Sequence, residues 1–192
     1  MDENVAGSKA IRRIRFSKDG DQLWIVGDRG LARLQHLRDA AKTMVLALPA
    51  TQSLKCAAIS DDGMYVTAGT RTKNVLVWQL PKAGRQLKLV TLSGHAGQVN
   101  DVGLVGSDAD TLRVFSASQD GTTRVWDPRF AAPEEGEQAA AGREIISLRR
   151  HDGDVTALDT NREGDLLMTA GSDGTVILWP AQPPTLNGLE QP

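Results

Sequence analysis

The chain contains one cysteine, Cys56, among 192 residues. No internal disulfide is possible, so a reducing compartment is expected, with a cytoplasmic location as the simplest form of it. No apolar run approaches the ~20 residues that carry a helix across a bilayer. The opening MDENVAGSK is acidic and polar, which is not the pattern of a secretory signal. Neither sign of charge is in excess: 22 Lys and Arg stand against 24 Asp and Glu, a net −2. Basic residues come at most in pairs or triples such as Arg12-Arg13. That balance argues against a nucleic-acid groove and against an anionic membrane surface, both of which need a basic excess. Helical periodicity is nearly missing, and only Leu34 to Ala41 fits a helical turn or two.

Aromatics are scarce at 4%, yet four of them are Trp. Three of those Trp end copies of one hairpin. The fullest copy is Ser116 to Asp127, SASQDGTTRVWD. Strand formers Val114 and Phe115 lead in, Asp120-Gly121 makes a tight turn, and Thr122 to Trp126 alternates again. Thr169 to Trp179 (TAGSDGTVILW) repeats it, Thr67 to Trp78 (TAGTRTKNVLVW) is eroded, and Trp24 to Leu34 (WIVGDRGLARL) more so. The intervals between Trp78, Trp126 and Trp179 run slightly above the ~40–45 residues of a four-stranded propeller blade.

Each unit has one internal order. A first strand is expected at Ile11 to Phe16, Leu54 to Ile59, Val99 to Val105 and Val155 to Thr160. A polar turn and a second strand follow, at Leu23 to Val26, Met64 to Ala68, Thr111 to Ala117 and Asp165 to Ala170. The third strand ends at Leu34, Trp78, Trp126 or Trp179. A fourth shows between units, at Thr43 to Leu48, Leu87 to Leu92 and Arg143 to Arg149. The reading is an all-β chain of four-stranded antiparallel blades over 1–180, in units of about 8–48, 49–92, 93–149 and 150–180. Pro128 to Gly142, acidic, Ala-rich and bounded by Pro, reads as an exposed loop insertion. Residues 181–192 read as a Pro-rich tail that cannot easily prolong a paired strand.

Units three and four carry a matching polar set: His95, Ser116, Asp120 and Trp126, then His151, Thr169, Asp173 and Trp179. With GHAGQV before SASQDGTTRVWD, the chain resembles the WD-repeat family of β-propellers over nearly its whole length. The resemblance implies a row in which the Trp indole donates to the hydroxyl, the hydroxyl to the imidazole and the imidazole to the carboxylate. A hydrolase triad is the competing reading of Ser, His and Asp. It is disfavoured because the set recurs, the Trp occupies the hydroxyl, and no Gly-x-Ser-x-Gly elbow is present. No catalytic residue is therefore assigned. No metal or other cofactor is expected either. His36, His95 and His151 fall in different units, and the acidic turns at Asp19 to Asp21 and Asp61 to Gly63 lack the alternation and closing Glu of a calcium loop. Unit two has Thr72 at the turn Asp and Ala50 at the His. Unit one reads as Asp28 at the turn Asp, Leu34 at the Trp, Trp24 at the hydroxyl and Gly7 at the His.

The resemblance also implies rim positions that bind partners, flanking the first strand and preceding the turn Asp. They map to Gln98, Asn100 and Gln119 in unit three, Asp154, Thr156 and Ser172 in unit four, and Ser53, Lys55 and Arg71 in unit two. A non-enzymatic protein-interaction scaffold is the leading expectation. The alternative is a regulatory or sensor propeller segment of a multidomain protein such as a kinase or ATPase. Family rings usually close with about seven blades, within the four to eight of propellers in general. Four units, the last without a fourth strand, therefore read as the C-terminal part of a larger propeller. Self-association, or completion by a missing N-terminal half, would cover the open ends.

Overall fold

The structure is a computed structural model. It describes residues 10–17, 19–28, 32–39, 41, 43–46, 53–81, 87–106, 108–130, 142–161 and 164–180. Its strands form four separate antiparallel sheets, each a simple meander in chain order. The first blade holds β1 (Ile11–Phe16), β2 (Gln22–Gly27), β3 (Ala32–His36) and β4 (Met44–Val45). The second holds β5 (Leu54–Ile59), β6 (Tyr65–Thr70), β7 (Val75–Gln79) and β8 (Lys88–Leu92). The third holds β9 (Val99–Val105), β10 (Arg113–Ser118), β11 (Thr122–Asp127) and β12 (Arg143–Arg149). Among the described residues the fourth has three strands, β13 (Val155–Thr160), β14 (Leu166–Gly171) and β15 (Val176–Pro180).

Local chemistry explains the hairpins. Ser17 and Ser60 open equivalent turns between the first and second strands. In each, the serine carbonyl accepts from the turn glycine, Gly20 at 3.0 Å and Gly63 at 2.9 Å. Its hydroxyl accepts from the first backbone N–H of the returning strand, Gln22 at 3.0 Å and Tyr65 at 2.9 Å. The serine thus fixes both the turn and the register of the strand that follows.

The blades stack through their first strands: β5 packs on β1, β9 on β5, and β13 on β9. Period-2 alternation gives every blade two apolar faces. Trp24, Val26, Ala32 and Leu34 of blade one meet Leu54, Val66, Ala68, Leu76 and Trp78 of blade two. Val75, Val77 and Tyr65 on the opposite face of blade two meet Val99, Val102, Val114 and Trp126 of blade three. Trp24, Trp78 and Trp126 are each 1% exposed, and an aromatic of this kind buries ~150–250 Å², on the order of 4 kcal/mol apiece. Cys56 is fully buried among these residues, and that burial, with Asp101 nearby, lifts its thiol to about 12.

The arc is open. Ile14 and Phe16 of β1 lie opposite Ile25 and Leu23 on the face of blade one that points away from blade two, and Ile14 and Phe16 are exposed. At the other end, Met168 faces Leu178 and Leu166 faces Pro180 across β14 and β15. Leu166, Met168, Val176 and Leu178 are all exposed.

Three expectations need correction. Leu34 to His36 belongs to β3 and not to a helical turn: Leu34 pairs with Trp24 and Met44 and is 3% exposed, so cross-strand packing overrides a weak periodicity. The third strand of unit four, expected to end at Trp179, runs one residue further, with Pro180 in the ladder opposite Leu166 as the last residue of β15. The start of the stretch read as an exposed insertion is buried. Pro128 is buried, and Phe130 is 4% exposed, packing on Tyr65 at a 5.6 Å ring separation while its carbonyl accepts from Lys88 Nζ at 3.0 Å. The rest of that stretch, 131–141, the tail at 181–192, and Gly7 and Ala50 lie outside the described residues.

Candidate functional site

In blade three the polar row is continuous. Trp126 Nε1 on β11 donates to Ser116 Oγ on β10 at 2.8 Å. Ser116 Oγ lies 2.7 Å from His95 Nε2, and His95 Nδ1 lies 2.9 Å from Asp120 Oδ2. The tautomer that satisfies every member has the proton on Nδ1, so Ser116 donates to Nε2. The His95 and Asp120 side chains are 0% and 8% exposed. Blade four repeats the set: Trp179 Nε1 to Thr169 Oγ1 at 2.9 Å, Thr169 Oγ1 to His151 Nε2 at 2.8 Å, His151 Nδ1 to Asp173 Oδ2 at 3.0 Å. Arg124 and Arg150 each stand over the ring of the blade's Trp, 5.9 Å from its centre. Structure thus brings together all eight residues expected to form the two rows.

Each row has a fifth side chain that the sequence reading missed. Thr122 Oγ1 donates to Asp120 Oδ1 at 2.6 Å, and Thr175 Oγ1 to Asp173 Oδ1 at 2.8 Å. Their backbone N–H groups donate to the same oxygens, both at 3.0 Å. The second carboxylate oxygen takes the N–H of Ala96 or Asp152, at 2.8 and 2.9 Å. The signal was present, because both turns read Asp-Gly-Thr.

Burial alone would push the Asp120 carboxyl up. Bonds from Thr122, Ala96 and His95 outweigh it and hold the group well below the usual carboxylate range. Asp173 is held down in the same direction, first by the Thr175 N–H. Desolvation lowers His95, outweighing the pull of Asp120, so its imidazole is neutral at pH 7. Ser116 is fully buried, and its oxygen is already committed to an indole and an imidazole. An array this closed holds a hairpin in place and offers no attacking oxygen. Among the described residues no group of three His, Cys, Asp or Glu is placed to hold a metal.

Blades one and two hold their turns differently. In blade two Ala68 occupies the hydroxyl position and Thr72 the turn position, as the spacing implies. Thr70 takes over: its Oγ1 donates to Asn74 O at 2.9 Å and accepts from Asn74 N at 3.0 Å. Blade one requires a correction. The N–H of Asp28 bonds Ala10 O, as Arg71 bonds Ser53 O, Gln119 bonds Gln98 O and Ser172 bonds Asp154 O. Asp28 therefore stands at the position before the turn residue, not at the turn Asp. The same register puts Ile25 at the hydroxyl position and Gln35 at the Trp position. Trp24 and Leu34 belong to the opposite face, which packs on blade two. A one-residue slip in alignment changes the face of every side chain.

Reading from that register, the rim includes Arg12 and Asp28, which the sequence reading did not assign. Arg12 Nε and Nη2 grip Asp28 at 3.1 and 2.6 Å. Ser53 Oγ donates to Asp28 at 2.6 Å from blade two. Bonds first from Arg12 and then from Ser53 hold the Asp28 carboxyl at about 2. Lys55 Nζ donates to Asn100 Oδ1 at 2.6 Å, and Asn100 Nδ2 to Val155 O at 2.7 Å. Two hydrogen-bonded chains thus lace the rim across all four blades. Gln119, Thr156, Ser172 and Arg71 are exposed on it, with Gln98 and Asp154 half-buried.

Stacked four-stranded meanders whose hairpins are pinned by Trp, hydroxyl, His and Asp define a β-propeller of repeat type. Residues 86–127 and 142–180 match the family described as WD domain, G-beta repeat. The chain carries two repeats of the WD-repeat β-propeller family, running from β8 to β11 and from β12 to β15, so that each joins the last strand of one blade to the first three of the next. Among curated relatives it is similar to the ribosome biogenesis protein WDR12 homolog of Arabidopsis thaliana, 32% identical over 98 residues, 50% of this chain and 22% of that protein. It is 33% identical to the small ribosomal subunit protein RACK1 of Caenorhabditis elegans over 49% of this chain and 28% of that one. It is 30% identical to transcription initiation factor TFIID subunit 5 of Drosophila melanogaster over 78% of this chain and 19% of that one. The solved structure of U3-55K shares the fold with a TM-score of 0.69 at 21% identity, covering 91% of this chain and 50% of that chain. The chain thus spans under a third of these curated relatives and about half of a solved propeller chain.

Proposed function

We propose that this chain is a non-enzymatic protein-interaction scaffold, read through its laced rim. The observation that carries the reading is the pairing of rigid support with free ends. Asp120 and Asp173 pin the hairpins from below, while Gln119 and Ser172, the residues before them, stay exposed. Polar groups offered on a rigid frame suit recognition, since ordering costs little on binding. Two relatives are named as a subunit protein or a subunit of a larger assembly, which supports the same role. The compartment proposed is a reducing one, in keeping with a single buried thiol; cytoplasm and nucleus both satisfy it.

We further propose that additional propeller blades cover the two end faces. The exposed apolar rows on blades one and four are the faces by which the inner blades pack on one another. The test is a triple rim variant, Gln119→Ala, Thr156→Ala and Ser172→Ala, carried as bait beside wild type. The scaffold reading predicts lost co-purifying proteins with an unchanged unfolding midpoint. Retention of every partner would sink it.

A further inference from the structure

The rim of blade two differs from its neighbours in a way the fold does not need. Its turn reads Arg71-Thr72-Lys73-Asn74 where blades three and four have Gln119-Asp120-Gly121-Thr122 and Ser172-Asp173-Gly174-Thr175. Lys73 takes a φ of 74°, matching 76° at Gly121 and 78° at Gly174. Glycine enters that left-handed region freely, whereas a residue with a Cβ is strained there. Nothing in the turn's own bonding requires a lysine. Thr70 holds both ends of the turn through Asn74, and Ser93 Oγ fixes the Asn74 side chain at 3.0 Å.

The charge pattern points the same way. Other cations on this side of the blades are engaged: Arg12 by Asp28, Lys55 by Asn100, Arg124 by Glu144. Arg71 and Lys73 are exposed; Arg71 feels the Asp28 carboxylate at a distance, behind the Arg12 and Ser53 bonds that hold it, and keeps its guanidinium toward solvent. Blade four presents the opposite sign, with Asp152 exposed and Asp154 half-buried beside it. The rim therefore runs from positive at blade two to negative at blade four.

We propose that the Arg71–Lys73 turn is a docking point for an acidic segment of a protein partner, its carboxylates meeting the guanidinium and the ammonium. The proposal rests on the scaffold reading and names the chemistry of one subsite of it. A planar guanidinium takes a carboxylate in two parallel bonds, and a flexible ammonium supplies an adjacent point charge. A strained residue kept on an exposed rim, when the fold would be relieved by glycine, is the expected mark of a site held for binding.

The probe is a fluorescein-labelled peptide of alternating Asp and Glu, followed by anisotropy with the full chain. Binding should saturate at low salt, weaken as salt rises, and fall about fivefold or more in the Arg71→Ala, Lys73→Gly double variant. Lys73→Gly alone should raise the unfolding midpoint while weakening the peptide, two effects of opposite sign that a structural role would not produce. Unchanged affinity in the double variant overturns the proposal. So does a lowered midpoint in Lys73→Gly, or tighter binding of a single-stranded oligo-dT than of the peptide. The bait experiment separates the two readings. If the double variant keeps every partner that the triple rim variant loses, the blade-two site falls and the scaffold stands. If neither variant loses a partner, the scaffold reading falls too.

Discussion

Asp101 of blade three accepts the backbone N–H of Leu158 in blade four, with 3.1 Å between Leu158 N and Oδ2. Its other oxygen lies 3.6 Å from Arg13 Nη2 of blade one. One half-buried carboxylate on the first strand of blade three thus ties three blades. Asp101→Ala leaves a part-buried N–H without its acceptor and should cost about 1 kcal/mol. Asp101→Asn keeps the acceptor and should cost less. Equal midpoints for all three chains in urea would show that the tie contributes nothing.

Thr122 and Thr175 make the same bond in unlike surroundings. Thr122 is 2% exposed, whereas Thr175 is exposed. Thr122→Val should cost about 1 kcal/mol, and Thr175→Val less, because water can replace the lost partner there. Denaturant titration of the two variants gives the comparison, and a larger loss at Thr175 would contradict it.

Two of the indoles buried at the blade interfaces should respond differently to loss of their N–H. Trp126 Nε1 donates to Ser116, but Trp24 Nε1 is buried and has no hydrogen-bond partner among the described residues. Trp126→Phe should therefore destabilise more than Trp24→Phe, by about 1 kcal/mol, since the second change removes an unsatisfied donor. Thermal melts of the pair decide it.

Acid should weaken the fold in two stages. Burial holds His95 below its ordinary value, so the neutral ring stabilises the folded state fully above ~6.5, and that contribution is lost as pH falls through the imidazole range. Asp120 and Asp173 are depressed, so their contribution is present above ~3.8 and lost below it. Asp101, raised by burial, acts in the opposite sense. Comparing wild type with His95→Gln removes that common background. The difference between their midpoints should change between pH 7 and 5; a constant difference refutes the first stage.

The outer face of blade four should drive association. Met168 and Leu178 face each other across β14 and β15, 46% and 59% exposed. Met168→Lys with Leu178→Lys should shift the sedimentation profile toward monomer. A wild-type chain that stays strictly monomeric at high concentration would show that four blades suffice.

Most of this architecture was legible in the sequence because propeller strands are local. Each hairpin is set by its own turn and its own alternation, so Ile11–Phe16, Leu54–Ile59, Val99–Val105, Arg143–Arg149 and Val155–Thr160 follow from the residues themselves. The two polar rows were legible for the same reason, since each lies within one repeat and repeats in residue type. Blade one shows where that stops. Without Asp, Trp or His to mark the register, Trp24 and Leu34 can be aligned to either face, and only the bond from Asp28 N to Ala10 O settles which.

What the tertiary structure decided lies between blades. The Arg12–Asp28–Ser53 and Lys55–Asn100–Val155 chains, the Asp101 tie and the seat of Phe130 against Tyr65 join residues far apart in the chain. No periodicity encodes such contacts, because they depend on how one twisted sheet is stacked on the next. The sequence by itself determined four hairpin repeats and which two carry a complete network. Stacking determined which polar side chains are tied together, which remain open to a partner, and where the apolar end faces lie.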